Sequence, residues 1–308
     1  MPTKQPSRLS VVTGAFGYTG RYIARRLLAA GAPVKTITGH PDRAHTLGGK
    51  IEVAPLDFED QDGLARSLEG ADVLYNTYWV RFARGTTTFD TAVSNSRALI
   101  RAAERAGVRR LVHISITNAS SESGLPYFRG KGLVEEAVAT SDLSYAIIRP
   151  TVIFGPEDIL INNIGWVLRR FPVFAVFGSG DYKVQPVFVE DVAEIAVAAA
   201  QHDATETIDA VGSETFGYEQ LVRLVAAAVN SRARIAHVSP AVAMWLSRVV
   251  GYIVRDVVVT RDEIDGLMAG LLVSEGPATG ATRFSEWLEQ NAESIGARYT
   301  SELSRHYR

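Results

Sequence analysis

Short apolar runs and longer amphipathic segments take turns along the first half of the chain. Leu9–Thr13, Val34–Thr38, Ile51–Pro55, Val73–Asn76, Arg110–Ser115 and Tyr145–Arg149 have strand length and little polar alternation. Between them, Tyr18–Ala30, Gln61–Leu68, Thr86–Ala106 and Tyr127–Thr140 repeat apolar residues every three or four positions, the first closed by Gly31. Strands apolar on both faces, alternating with helices, predict a parallel sheet covered on both sides. The expected fold class is α/β, a doubly wound parallel sheet.

The rhythm changes after Gly155. Asp158–Arg170 reads as a helix, Val173–Phe177 as a short strand and Gly178–Asp181 as a turn. Gln185–Val189 and the helix Glu190–Ala200 return to the sheet, and from about Glu214 the chain is mostly helical, with a strand near Arg234–Val238. Residues 1–155, with 185–212 returning to them, are expected to form the sheet domain; 156–184 and 213–308 form a smaller, mostly helical lobe. Within it, Val242–Val259 carries Trp245, Leu246, Val249, Val250, Ile253 and Val254. Such a stripe suits a membrane or partner surface, and its ordinary use is to cover the lobe.

The turn after the first strand reads T-G-A-F-G-Y-T-G, placing Gly14, Gly17 and Gly20 three apart around Phe16. Gly14 permits a tight turn, Gly17 lets backbone approach a pyrophosphate, and Gly20 lets the following helix lie close to the sheet. The N–H groups and positive dipole end of that helix complete an anion site. The pattern suits a dinucleotide-binding Rossmann domain, the alternative being a glycine-rich turn that only packs a strand against a helix.

Composition narrows the partners. A chain of 308 residues with 46% hydrophobic content can build a large core. Its 32 basic and 34 acidic residues leave no footprint for nucleic acid. With no cysteine and six scattered histidines, disulfides, thiolate chemistry and a metal site are not expected. Met1–Ser10 is polar, and no apolar run approaches the roughly 20 residues that span a bilayer. A cytoplasmic protein without a membrane span is expected, with homo-oligomerisation left open.

A second signal carries chemistry. Tyr127 and Lys131 lie four apart on a predicted helix and so share a face. A phenol with a pKa near 10 is a poor acid-base catalyst until a neighbouring ammonium lowers that pKa. The pair follows the fifth strand, whose end carries Ser115 and Thr117, hydroxyls able to hold a substrate oxygen.

With these motifs in order, the chain resembles an atypical or extended short-chain dehydrogenase/reductase of the NAD-dependent epimerase/dehydratase type. T-G-A-F-G-Y-T-G matches that family's nucleotide turn, and Tyr127-x-x-x-Lys131 its catalytic pair. A-A-E-R-A-G-V-R-R-L-V-H-I-S is similar to its passage into the fifth strand, R-P-T-V-I-F-G-P to the segment over the nicotinamide, and Q-P-V-F-V-E-D-V-A to its return to the core. H-I-S-I-T-N-A and F-G-P-E-D are similar to the NADPH-binding accessory subunit of respiratory complex I. The resemblance implies that Gly14, Phe16, Gly17 and Gly20 bind pyrophosphate, Asp57 and Phe58 meet the adenine, and Asn76 and Thr77 line the cofactor. It implies Thr117, or else Ser115, as the substrate-orienting hydroxyl and Tyr127 as the acid-base residue. Lys131 holds the ribose, and backbone from Pro150 to Val152 faces the carboxamide.

The second strand ends without the acid that binds the ribose hydroxyls of NAD, and Gly39 stands where NADP readers often carry arginine. His40 and Arg43 could supply positive charge to a 2′-phosphate, so the cofactor is NADP or NAD, with a lean to NADP. Tyr78, Trp79 and Arg81 follow the fourth strand, where substrates enter such folds, and Asn162, Asn163 and Trp166 could reach substrate from the lobe; packing roles explain each as readily. His113, inside a strand, reads as a core histidine. The expected function is NAD(P)-dependent oxidation-reduction or epimerisation at a hydroxyl or carbonyl carbon of a small molecule. The alternative is an accessory or sensor protein that binds the cofactor without turnover.

Overall fold

The computed structural model describes residues 8–42 and 47–303. Its first ten regular elements, in chain order, are β1 (Leu9–Thr13), α1 (Tyr18–Ala29), β2 (Val34–Thr38), β3 (Glu52–Pro55), α2 (Gln61–Ser67), β4 (Ala71–Asn76), α3 (Phe89–Arg105), β5 (Arg110–Ile114), α4 (Pro126–Ala139) and β6 (Ser144–Pro150). There follow β7 (Val152–Phe154), α5 (Leu160–Arg170), β8 (Val173–Phe177), β9 (Lys183–Val184), β10 (Pro186–Phe188), α6 (Val189–Ala199), β11 (Glu206–Ala210), β12 (Phe216–Gly217), α7 (Tyr218–Ala228), β13 (Arg234–Val238), α8 (Pro240–Val254), α9 (Arg261–Met268) and α10 (Phe284–Gln290). Two compact units result: residues 1–150 with 192–209, and 151–191 with 210–308.

The first unit holds a seven-stranded sheet in the order β11-β6-β5-β4-β1-β2-β3. From β1 to β6 every neighbouring pair runs parallel. Order 3-2-1-4-5-6 is that of a doubly wound dinucleotide fold, and its direction reverses between β1 and β4, where such sheets open a crevice at their carboxyl ends. The core joins strand residues Val11, Ile37, Leu74, Leu111 and Ile147 to Leu64, Leu99 and Val134 of the helices. The expected helix from Thr86 begins only at Phe89, because the Thr88 hydroxyl accepts the Thr91 N–H and caps it. At the opposite end of the sheet, the fully buried Arg110 donates to Ala199 O at 2.7 Å, Ser144 Oγ at 2.6 Å, Ala204 O at 3.0 Å and Glu206 Oε1 at 3.1 Å.

The second unit is built around Phe154, Ile161, Val176, Leu221, Phe284 and Trp287. Three two-stranded ladders serve it: β7 with β10 and β8 with β13, both parallel, and β9 with β12, antiparallel. The helix expected from Asp158 starts at Leu160, since the Asp158 carboxylate accepts the Ile161 N–H at 2.7 Å. The stripe on α8 departs from expectation. Its small residues, Ala243 and Gly251, are buried against the unit, while Trp245, Val249 and Ile253 face outward. A Cβ on Gly251 would come within 2.6 Å of Asp256 O, so the close-packed side of the helix is the small-residue side.

Candidate cofactor and active site

The glycine turn is a cradle. Gly14 has φ of 62°, a left-handed conformation suited to glycine, and its N–H donates to Ile37 O at 3.0 Å. The Gly17 N–H returns to Gly14 O at 2.7 Å, and α1 begins there. A Cβ on Gly20 would lie 2.5 Å from Gly14 O, and one on Gly17 3.1 Å from the same oxygen. No side chain caps α1 and its first turn carries no acid, which leaves the positive end of its dipole toward the loop. Open backbone and an uncapped helix end fit the diphosphate of an NAD(P) cofactor.

Two threonines hold this cradle, and the linear pattern did not single them out. Thr36, buried in β2, donates to Val12 O at 2.9 Å and accepts the Ala15 N–H at 3.0 Å. Thr13 accepts the Thr77 N–H at 2.7 Å, while the Thr77 hydroxyl donates to Thr13 O at 2.6 Å. The ends of β1 and β4 are thereby tied together at the switch point. A hydroxyl within an otherwise apolar strand was the available signal, since a buried one needs a partner.

Asn76 continues the network. Its Oδ1 accepts the Tyr78 N–H at 3.0 Å, so its amide nitrogen faces His113 Nδ1 at 3.2 Å. That makes Nδ1 the acceptor and puts the imidazole proton on Nε2. Nε2 is buried with no hydrogen-bond partner among the described residues. Burial, helped by the Lys131 ammonium, holds the His113 pKa well below its ordinary value, so the ring is neutral. His113 is a buried histidine within the strand, with one ring nitrogen satisfied by Asn76 and the other without a partner among the described residues. Ser115, two residues on and thus on the same sheet face, is buried with its hydroxyl likewise unpartnered. Thr117 is buried as well, its N–H donating to Pro150 O at 2.9 Å.

Tyr127 and Lys131 stand on α4 one turn apart. The Tyr127 ring meets Trp79 and Phe89 edge to face, with centroids 6.0 and 5.9 Å away. Lys131 is buried; its Nζ donates to Ile114 O at 2.8 Å and sits 4.8 Å from the centroid of the Trp79 indole. Burial pushes its pKa down to about 7, against the pull of the Glu135 carboxylate, itself bound by Arg149. Trp79 thus touches both members of the pair. Glycines make room for this: a Cβ on Gly130 would strike Trp79 Cη2 at 2.9 Å, and one on Gly132 would lie 2.2 Å from the backbone of Ser120. Two glycines flanking Lys131 inside a helix cost stability, each about 1 kcal/mol, and that cost was the sequence signal for close approach.

The other expected residues divide by unit. Asp57 accepts the Glu59 N–H at 2.9 Å, and the Phe58 ring lies 4.9 Å from that of Tyr78. The Tyr78 hydroxyl accepts from Asn95 at 2.9 Å, and burial raises its pKa. The Arg81 guanidinium lies 6.0 Å from the Phe82 ring. The His40 N–H donates to Thr38 Oγ1 at 3.1 Å with the side chain exposed, and Arg43 lies outside the described residues. In the second unit, Val152 pairs with Pro186. Asn162 donates to Asp158 O at 3.0 Å and Asn163 to Thr300 O at 3.1 Å, while Trp166 packs 5.3 Å from Tyr299. Asn162 Oδ1 also accepts the Gly296 N–H at 3.4 Å, so these three tie α5 to residues 296–300. Among the described residues, no group of three or more His, Asp or Glu side chains is arranged to hold a metal, and no helix is long and apolar enough to cross a membrane.

Comparison with known proteins agrees with this geometry. A family profile described as NAD(P)H-binding matches residues 14–160, and one for the NAD dependent epimerase/dehydratase family matches 126–211. The chain thus carries matches to an NAD(P)H-binding domain and to an NAD dependent epimerase/dehydratase domain, which together span residues 14–211. It is 28% identical over 229 residues to the mitochondrial NADH dehydrogenase [ubiquinone] 1 alpha subcomplex subunit 9 of Arabidopsis thaliana, covering 70% of this chain and 57% of that one. The chain therefore spans little more than half the length of that relative. Two solved structures share the fold: the Citrobacter sp. triphenylmethane reductase complexed with NADP(H), with TM-score 0.74, 19% identity and coverage of 91% and 99%, and an Escherichia coli NADPH-dependent quinone oxidoreductase complexed with NADPH, with TM-score 0.73, 21% identity and the same coverage.

Proposed function

We propose that the chain is an NADP(H)-dependent reductase of a small carbonyl compound, with Tyr127 as its proton donor. The observation that carries this reading is the position of Tyr127 and Lys131 on α4, beside the β5 end that bears Ser115 and Thr117 and in the same unit as the glycine cradle. An NADP(H) bound at the glycine cradle would supply the hydride. Tyr127 delivers the proton to the carbonyl oxygen, and the positive charge of Lys131 favours the phenolate left behind. The Ser115 hydroxyl, which has no partner of its own among the described residues, orients that oxygen. The aromatic cluster of Trp79, Phe89 and Tyr127 around the pair favours an aromatic substrate, in keeping with the quinone and triphenylmethane named for the two solved structures. The absence of an acid at the very end of β2 supports NADP over NAD.

One observation favours a second reading. Lys131 already donates to Ile114 O and is covered by Trp79, as suits a site that stores a cofactor rather than turning it over. The respiratory-complex subunit named among the relatives fits such an accessory role. Tyr127→Phe separates the two. A reductase should keep NADPH affinity within about twofold while turnover of a quinone panel falls by about 10²-fold or more. A wild-type protein that binds NADPH tightly yet consumes none with any carbonyl tested would instead establish the accessory reading.

A further inference from the structure

Helix α8 inverts the usual arrangement of a surface helix. Eight large hydrophobic side chains are exposed among the described residues, and five of them lie on this one helix: Val242 at 45% exposure, Trp245 at 62%, Val249 at 42%, Tyr252 at 89% and Ile253 at 62%. Spacings of three, four and three from Val242 to Tyr252 line them up along a single strip, and Ile253 widens it. The opposite side, with Ala243 and Gly251, is packed against the second unit. A helix apolar on all sides belongs in a core or against lipid, and α8 has its outer half uncovered.

We propose that α8 lies on an anionic lipid surface, with Trp245, Tyr252 and Ile253 inserted at the headgroup boundary. Three features select lipid over a second protein. Charge is the first. Pro240–Val254 contains no acidic residue, whereas Arg248 and the C-cap Arg255, both exposed and seven apart, border the strip and complement phosphate headgroups. Composition is the second: tryptophan and tyrosine beside aliphatic residues are the side chains that settle at the boundary between headgroup and acyl chain. Area is the third. A 15-residue helix is about 22 Å long, and its five exposed side chains offer on the order of 600 Å², below the roughly 800 Å² per partner of a stable dimer. A bilayer sets no such minimum. At about 22 Å the helix is also too short to cross the roughly 30 Å hydrocarbon layer, so it lies in the surface plane. This proposal stands apart from the reaction assigned to the first unit.

Flotation of the full chain with vesicles tests it. The protein should rise with vesicles of equimolar phosphatidylcholine and phosphatidylglycerol and stay below with phosphatidylcholine alone. Brominated acyl chains should quench part of its tryptophan fluorescence. The double substitution Trp245→Ser with Ile253→Ser should weaken partition at least tenfold while leaving the melting temperature and NADPH affinity unchanged. Arg248→Glu should weaken it at least about fivefold, and raising the salt should have the same effect. The proposal is overturned if wild-type protein does not float with the anionic vesicles, or if the double variant floats as well as wild type. It is equally overturned if sedimentation reveals a dimer that the double variant abolishes, which would assign the strip to a second copy of the chain.

Discussion

Replacing Lys131 by Met gives a sharp test of the buried ammonium. In the folded chain its pKa falls from 10.5 to about 7, because burial strips water from the charge and the Glu135 carboxylate offsets only part of that loss. The difference is worth about 5 kcal/mol between the two limits. Between pH 7 and 10.5 the unfolded chain holds a proton that the folded chain has released. Stability contributed through this group therefore rises with pH across that window and is lowest, by the full amount, below pH 7. Met fills a similar volume and carries no proton. The stability of wild type minus that of Lys131→Met should climb by about 0.7 kcal/mol per pH unit at pH 7 and about 1.4 above pH 8, roughly 2.3 kcal/mol in all from pH 7 to 9. Urea unfolding of the cofactor-free protein at a series of pH values measures it, and taking the difference cancels every other titrating group. Parallel stability curves for the two proteins would refute the reasoning, for they would mean that Lys131 titrates alike in both states.

Two further substitutions probe the scaffold. Gly20→Ala forces a Cβ to within 2.5 Å of Gly14 O, which is backbone and can yield only by moving the turn; NADPH affinity by calorimetry should fall at least about tenfold, and an unchanged affinity would remove the cradle from the binding site. Arg110→Ala strips the donor from Glu206, Ser144 and two carbonyls at a position with no access to water, so urea unfolding should register a loss of about 3–5 kcal/mol, with the turn and its ligand affinity intact in the protein that folds.

The local rules that the chain obeys made most of the sheet unit legible. Apolar runs of strand length, helical periodicity and a glycine turn at the first strand-to-helix junction are each short-range, so β1 to β6 and α1 to α4 could be placed within a few residues and the α/β class inferred. Helix starts were the weak point. Thr88 caps α3, and Asp158, just before α5, accepts the Ile161 N–H; only the finished backbone reveals these partners. Tyr127 and Lys131 share a face because four residues separate them. Their surroundings were another matter, since Trp79 arrives from the loop after β4 and Ile114 from β5.

The chain alone thus determined strand and helix periodicity, the glycine cradle and the spacing of the tyrosine and lysine, because each depends on contacts within about one turn or one strand. Tertiary structure decided what depends on segments far apart in the chain. It placed an indole over the lysine ammonium, set the imidazole proton of His113 through Asn76, and clamped β1 to β4 through Thr13 and Thr77. It also turned the apolar strip of α8 outward. The hydropathy of a helix marks which residues are apolar, whereas the side that packs is settled by contacts formed in the folded chain, and on α8 the buried residues are Ala243 and Gly251.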